Sequence, residues 1–196
     1  MCGKIPANYW MHGEFLLING GKMSKSLGNV YLLQDIVDRG YDPLVYKLFC
    51  YSIQYRKKLN FTWEGMDSAK IALDRLREAY QKHLNGTENV AEELIAKYEK
   101  DFNEAINDDL NMPVAMSVVW EVAKRTEKSK KLAELLKKFD RVLGIKIDEY
   151  KEEEIPDYIK ELLTKRAEAR KNKDWAESDK IRDIIKEKGY IVKDSK

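Results

Sequence analysis

Apolar residues recur at intervals of three and four along most of this chain, and that spacing predicts helices. Leu32, Leu33, Ile36 and Val37 share one face, with Gly40 as the stop. Asp42-Pro43 reads as an N-cap followed by proline in the first turn of a helix carrying Leu44, Val45, Leu48 and Phe49. A longer helix from Trp63 to Leu84 holds Ala69, Ala72, Leu73, Leu76, Ala79 and Tyr80 on its stripe and ends at Asn85-Gly86. Val90 to Asn107 gives another, through Leu94, Ile95, Tyr98, Phe102 and Ile106. Asn111-Met112-Pro113 opens a helix bearing Val114, Val118, Val119 and Val122. Leu132, Leu135, Leu136, Phe139 and Leu143 make the next, stopped at Gly144. The short connections between these helices predict an antiparallel bundle.

Two stretches depart from that period. Near the start, the β-favouring run Phe15-Leu16-Leu17-Ile18 is followed by Asn19-Gly20, the strongest two-residue hairpin signal. A strand, a tight turn and a loop from Lys22 to Asn29 follow from it. Near the end, the acidic stretch Asp148 to Asp157 reads as a linker. Beyond it lies a helical hairpin, Ile159–Arg170 and Trp175–Lys188, bent at Lys171-Asn172-Lys173. Asp174 and Glu177 form a capping-box-like pair, Gly189 stops the second helix, and Tyr190-Ile191-Val192 reads as a short strand. The expected fold is mainly α. A β-hairpin and loop lead into an antiparallel helical bundle, and a small helical-hairpin module with a short strand follows. The expected divisions are residues 1–42, 43–147, the linker 148–157 and the module 158–196.

Composition narrows the possibilities. The 196 residues are 43% hydrophobic, enough for a core, and 36 Lys+Arg against 34 Asp+Glu leave a net charge of +2. A balance so near neutral makes any claim of nucleic-acid binding depend on a local patch. The charged fraction of 36% exceeds the roughly 25% of an average soluble domain. There is no run of about 18 apolar residues, and Met1 to Pro6 holds no signal-peptide core, so neither a membrane span nor secretion is expected. Cys2 and Cys50 lie far apart, which argues against a disulfide framework and for a reducing, cytoplasmic setting. Two His and two Cys in separate places offer no metal site within this chain.

The sharpest chemistry is Lys22-Met23-Ser24-Lys25-Ser26-Leu27-Gly28-Asn29. Two ammonium groups three residues apart on a small polar loop suit a polyphosphate, because lysines act as mobile point charges where charge shifts during phosphate displacement. The serines and the backbone N–H groups add hydrogen bonds. A second patch lies between Ile159 and Lys173, where six basic and two acidic residues give a local +4 beside Trp175. Cations for phosphate and an indole for stacking suit an unpaired stretch of RNA.

These strings carry a resemblance. Lys22 to Ser26 matches the KMSKS signature loop of class I aminoacyl-tRNA synthetases at every position. The flanks resemble cysteinyl-tRNA synthetases: Tyr9-Trp10-Met11-His12-Gly13 before the loop, then Arg56-Lys57-Lys58-Leu59-Asn60-Phe61 with Thr62-Trp63-Glu64-Gly65. Asp108-Asp109-Leu110-Asn111-Met112-Pro113 is similar to that family's Asp-Asp-Phe/Leu-Asn-Thr-Pro element, with Met112 replacing Thr. Arg170 to Trp175 and Asp179 to Gly189 resemble its anticodon-binding module. The resemblance covers essentially the whole chain. It implies a part in joining cysteine to tRNA(Cys) with ATP and Mg2+, through cysteinyl-adenylate and pyrophosphate. It places the nucleotide contact on Lys25, supported by Lys22, with Met23 packed inward and Ser24 and Ser26 in the ATP-binding loop. It places anticodon reading on Arg170, Trp175, Asp179 and Asp194. Arg170 would bond a guanine edge, Trp175 would stack, and the two carboxylates would accept from base amino groups.

The chain also departs from that family. No His-Ile-Gly-His-type string occurs, and Cys2 falls after the positions that hold the family's zinc. The tail stops at Lys196 without the family's Gly-Thr-x-Trp ending. The expectation is a C-terminal portion, monomeric and unable to form adenylate alone. A freestanding, non-catalytic tRNA-binding module is the alternative, and a cysteine-ligase paralogue of mycothiol synthesis a more distant one. The remaining chemistry-bearing residues read as structure. His12 lies beside the hairpin, His83 is a solvent residue or a partner for the helix dipole, and Cys50 is a core thiol. Asp108 and Asp109 flank a helix start capped by Asn111.

Overall fold

The computed structural model describes residues 7–149, 156–172 and 174–187. The chain divides into two compact units, Met1–Tyr150 and Lys151–Lys196. Among the described residues no helix is long and apolar enough to cross a membrane.

The first unit opens with β1 (Leu16–Ile18) and β2 (Gly21–Lys22), joined through Asn19 and Gly20. Both turn residues have positive φ, 49° and 78°, as a hairpin turn matched to the strand twist requires. A third strand, β3 (Leu59–Phe61), lies parallel to β1, with Leu16 opposite Leu59 and Ile18 opposite Phe61. The sheet order is therefore β2-β1-β3, a three-stranded sheet where the sequence pattern predicts only a hairpin. A three-residue strand has too few positions to show alternation, and its pairing reaches across 43 residues of chain.

Between β1 and β3 run a single 3-10 turn (Lys25–Leu27), α1 (Leu33–Asp38) and α2 (Pro43–Cys50). The Asp42 side chain accepts from the Leu44 N–H at 2.9 Å and caps α2 as its sequence predicts. On α1 only Ile36 is buried; Leu33 and Val37 of its apolar face stay exposed, as do Phe15, Leu27 and Leu32 nearby.

Four longer helices surround the main core: α3 (Trp63–Leu84), α4 (Glu92–Asn107), α5 (Met112–Ala123) and α6 (Lys130–Leu143). Leu73, Leu76, Phe102, Val119, Leu136 and Phe139 are fully or nearly fully buried there, and the Phe102 and Phe139 rings stack with centroids 4.1 Å apart. Apolar burial of this kind is what holds short helices together. Gly86 ends the turn after α3 for reasons of space rather than of φ: a Cβ there would lie 2.1 Å from the Lys128 backbone. Gly144, at φ 58°, closes α6 in the left-handed conformation. The buried Asp140 carboxylate then accepts from the N–H groups of Ile145 and Ile147, so those two residues pack into the core.

His83 proves to be fully buried, not a solvent residue. Its Nε2 lies 3.1 Å from the Val122 carbonyl and 3.3 Å from that of Ala123, and burial pushes its pKa down. The period placed it correctly on α3 but could not show that α5 covers it. Cys50 is half-buried; burial pushes its thiol pKa up against the opposing hydrogen bond from Tyr46.

The second unit is a helical hairpin, α7 (Asp157–Lys171) and α8 (Trp175–Glu187), closed by Ile159, Ala169, Ile181 and Ile185. The Asp174 carboxylate accepts from the Glu177 N–H at 3.1 Å and caps α8. Only half of the predicted capping box forms, because the Asp174 N–H donates to the Ala169 carbonyl. Lys173, Gly189 and the strand predicted at Tyr190 to Val192 lie outside the described residues, as does most of the acidic linker.

Candidate functional site

The loop after β2 is shaped by one side chain that sequence reasoning left without a role. Asn29 accepts from the Ser24 N–H through Oδ1 at 2.8 Å and donates through Nδ2 to the Lys22 carbonyl at 3.0 Å. It thereby pins both ends of the Lys22–Asn29 segment to each other. Within the loop the Leu27 and Gly28 N–H groups donate to the Ser24 and Lys25 carbonyls, and Gly28 takes φ 64°. The Ser24 and Ser26 hydroxyls lie 2.7 Å apart and hydrogen-bond each other. The hairpin tip is tied down as well: the Asn60 side chain accepts from the Gly20 N–H at 2.7 Å, and the Phe61 carbonyl accepts from Asn19.

Met23 turns towards the core. It lines a cavity of about 110 Å³ with Leu16, Ile18, Tyr31, Ile36, Tyr46 and Phe61. Lys22 and Lys25 are exposed, and neither meets a carboxylate among the described residues. The result is a short loop, fixed in outline, that offers two cations and at least one free hydroxyl proton to an anion.

A second polar cluster was missed in the sequence. Asp109 accepts from Arg56 Nε at 2.6 Å, from the Tyr55 hydroxyl at 2.7 Å and from Gln54 Nε2 at 3.1 Å. The Arg56 guanidinium, first, and the Tyr55 hydroxyl hold the Asp109 carboxyl below its ordinary range, while Asp109 pushes the Tyr55 pKa up. Asp109 and Leu110 both sit in the left-handed region, at φ 51° and 52°. Asn111 occupies the N-cap position of α5, but its side chain donates to Asp108 at 3.4 Å and caps nothing. The simpler reading of that stretch as a capped helix start is therefore corrected. The strained turn presents Asp109 to the segment before β3, tying two motifs that lie about fifty residues apart.

In the second unit, Arg170 lies in the last turn of α7 and is half-buried, while Trp175 opens α8 at 59% exposure. Asp179 stands one turn further on the same exposed face of α8, 3.0 Å from Arg182 in an ion pair. The bend thus brings Arg170 and Trp175 to one end of the hairpin. Asp194 lies outside the described residues. Among the described residues, no three of His, Cys, Asp and Glu gather where a metal ion could be held.

Three family models match along the chain. The tRNA synthetases class I (C) catalytic domain covers residues 1–71, the DALR domain 101–148 and the cysteinyl-tRNA ligase anticodon binding domain 152–196. The chain is 39% identical over 196 residues to cysteine–tRNA ligase 1 of Burkholderia lata, covering 98% of this chain and 41% of the relative. It is 38% identical over 218 residues to the cysteine–tRNA ligase of Bacillus cereus, covering all of this chain and 46% of that protein. The chain belongs to the cysteinyl-tRNA synthetase family. It spans under half the length of these curated relatives. Within the synthetase family's catalytic-domain match fall the hairpin, the pinned loop, α1, α2 and β3. The Asp109 turn falls in the DALR match, and Arg170, Trp175 and Asp179 fall in the anticodon-binding match.

Proposed function

We propose that this chain serves cysteine–tRNA ligation, in which ATP, L-cysteine and tRNA(Cys) give cysteinyl-tRNA, AMP and pyrophosphate. Residues 1–42 contribute the loop that handles the ATP phosphates, residues 43–147 the bundle, and residues 158–196 the anticodon reader behind the 148–157 linker. The observation that carries this reading is the pinned loop, with Lys22 and Lys25 meeting no carboxylate among the described residues, in a chain of this family. As pyrophosphate leaves, negative charge grows on its oxygens. The Lys25 ammonium follows that charge, Lys22 adds a second cation, and the Ser24–Ser26 hydroxyl pair leaves one proton free for a phosphate oxygen. Met23 holds the loop to its base while the cations move. Mg2+ enters with ATP as part of the substrate.

At the other end, Trp175 offers a stacking face for an unpaired base and Arg170 a bidentate donor for a guanine edge. Asp179 and Asp194 accept from base amino groups, Asp179 after sharing or releasing Arg182. The setting is cytoplasmic and the working form a monomer.

A second reading, a tRNA-binding module without catalysis of its own, is favoured by one observation: the anticodon-binding match falls on a compact unit of its own. Both readings predict tRNA binding, and one comparison tests it: a tRNA(Cys) transcript against the same transcript with a changed anticodon, at one fixed salt concentration. A clear loss on anticodon change is expected, and equal affinity for both overturns the anticodon reader. ATP–pyrophosphate exchange with cysteine on this chain alone is expected to be nil. Clear exchange would show that the chain carries catalysis by itself.

A further inference from the structure

The turn at Asp109 acts on more of the first unit than its own neighbourhood. Asp109 and Leu110 follow one another in the left-handed region, at φ 51° and 52°. That conformation is unfavourable for L side chains, above all for a bulky one such as leucine, and it persists only where the surroundings over-determine it. Here the surroundings are the turn at residues 54–57, closed by the Lys57 N–H donating to the Gln54 carbonyl at 2.8 Å. Gln54 Nε2 donates to both the carbonyl and the carboxylate of Asp109, and the Tyr55 hydroxyl donates to the carboxylate. Arg56 grips the carboxylate with two nitrogens, Nε at 2.6 Å and Nη2 at 3.2 Å, which fixes orientation as well as distance.

The gripped turn is in its own right tied to the strand that carries the lysine loop. The Tyr55 carbonyl accepts from the Glu14 N–H at 2.8 Å, just before β1 begins. Just after the turn comes β3, which runs parallel to β1. On β3 the Asn60 side chain accepts from the Gly20 N–H at 2.7 Å, and the Phe61 carbonyl accepts from the Asn19 N–H at 3.0 Å. The entry to β1 and the hairpin tip beyond it therefore both hang on residues 54–61. β2 follows at once, and Lys22 is both its last residue and the first cation of the loop. None of residues 54–60 is buried, so packing cannot hold this segment in place and its polar ties must.

We propose that Asp109 is a positioning residue for the Lys22–Asn29 loop. It fixes residues 54–61, and through them the footing from which Lys22 and Lys25 reach, without touching a phosphate itself. A side chain in the DALR match thus sets the geometry of a loop in the catalytic-domain match. This inference rests on the reading of that loop as the ATP-phosphate site.

The test uses the full chain and reads amide hydrogen exchange beside titration with inorganic pyrophosphate. Asp109→Ala is expected to speed exchange at Glu14 and Gly20 about three- to ten-fold, while amides in α3 and α6 keep their protection. Pyrophosphate affinity is expected to fall by a similar factor. Removing a carboxylate makes the chain more positive, so simple attraction predicts the opposite sign. Asp109→Glu, which keeps the carboxylate, is expected to restore most of both properties. Arg56→Gln breaks the same tie without altering the left-handed turn, and is expected to loosen the same two amides. The proposal is overturned if Glu14 and Gly20 exchange as before in Asp109→Ala and Arg56→Gln. It is overturned too if α3 and α6 lose protection to the same degree, which would make Asp109 an ordinary stabiliser of the unit. Unchanged or tighter pyrophosphate binding in a loosened Asp109→Ala also overturns it. Lys25→Gln tests the underlying reading separately: if it binds pyrophosphate as the unaltered chain does, the phosphate role of the loop fails, while exchange at Glu14 and Gly20 still decides the role of Asp109.

Discussion

The Lys22–Asn29 loop and the outer face of α6 both present lysines to water, but they are held in opposite ways. The loop has almost no buried surface of its own beyond Met23. Its outline comes from hydrogen bonds between Asn29 and the backbone, from Gly28 and from the Ser24–Ser26 pair. The α6 row rests on Leu132, Leu135, Leu136 and Phe139, each nearly fully buried, and two of its cations are braced by carboxylates. A loop of the first kind can follow charge as it moves during a reaction. A row of the second kind keeps a fixed spacing, set by the core beneath it.

Four changes would break or sharpen this contrast. The largest effect is expected from Phe102→Ala, which removes the ring stacked on Phe139 beneath α6. It should cost about 3–5 kcal/mol, a large share of a typical domain's stability. Denaturant unfolding checks it, and a cost below that of an ordinary surface change would mean that the bundle does not support the row. Next comes Gly86→Ala. A methyl group 2.1 Å from the Lys128 backbone must push the start of α6 away, at about 1–3 kcal/mol. Unaltered stability would show that the close approach is not required.

A smaller change follows from Asn29→Ala, at about 1 kcal/mol or less because its hydrogen bonds lie at the surface. Its signature is local: the Ser24 amide should exchange with solvent faster while amides in α6 keep their protection. Equal exchange at Ser24 in both proteins would deny Asn29 its shaping role. The least effect is confined to a pH window. An unfolded imidazole takes its proton near pH 6.5, whereas burial makes the folded His83 take it lower. Between those two values the unfolded chain binds more protons, so stability falls as pH drops below about 6.5. His83→Gln, which keeps an N–H for the Val122 and Ala123 carbonyls, should lose that part of the slope. An unchanged slope would assign it to other groups.

Much of this architecture was legible from the chain alone, for physical reasons that differ by element. α3 begins and ends at the predicted residues because Thr62 caps it, accepting from the Gly65 N–H, and the period of its stripe is unbroken. The Asn19-Gly20 turn needs two positive φ values, and its residue types announce them. β3 was not legible, because three residues make a strand only when β1 lies alongside. Nor was the burial of His83, which depends on which face of α5 covers it. At the candidate site the cations were evident, but the groups that shape it were not. Asn29 acts through its own loop's backbone. Asp109 acts through a left-handed turn that Leu110 gives no sign of, towards Arg56 on a distant segment. Local chemistry is written in local residues, whereas contacts across fifty positions depend on the folded chain.

The uncovered apolar side chains of the first unit have a practical side. Trp10, Phe15, Leu27, Leu32 and Leu33 are each more than half exposed, a large amount of greasy surface for a chain so rich in charge. Handled by itself, the protein should therefore be hard to keep in solution at high concentration. Sulfate should bring it down early, and mild detergent should keep it dispersed. Replacing Phe15 and Leu33 with glutamine should lengthen its storage life without touching the loop cations or the lysines on α6.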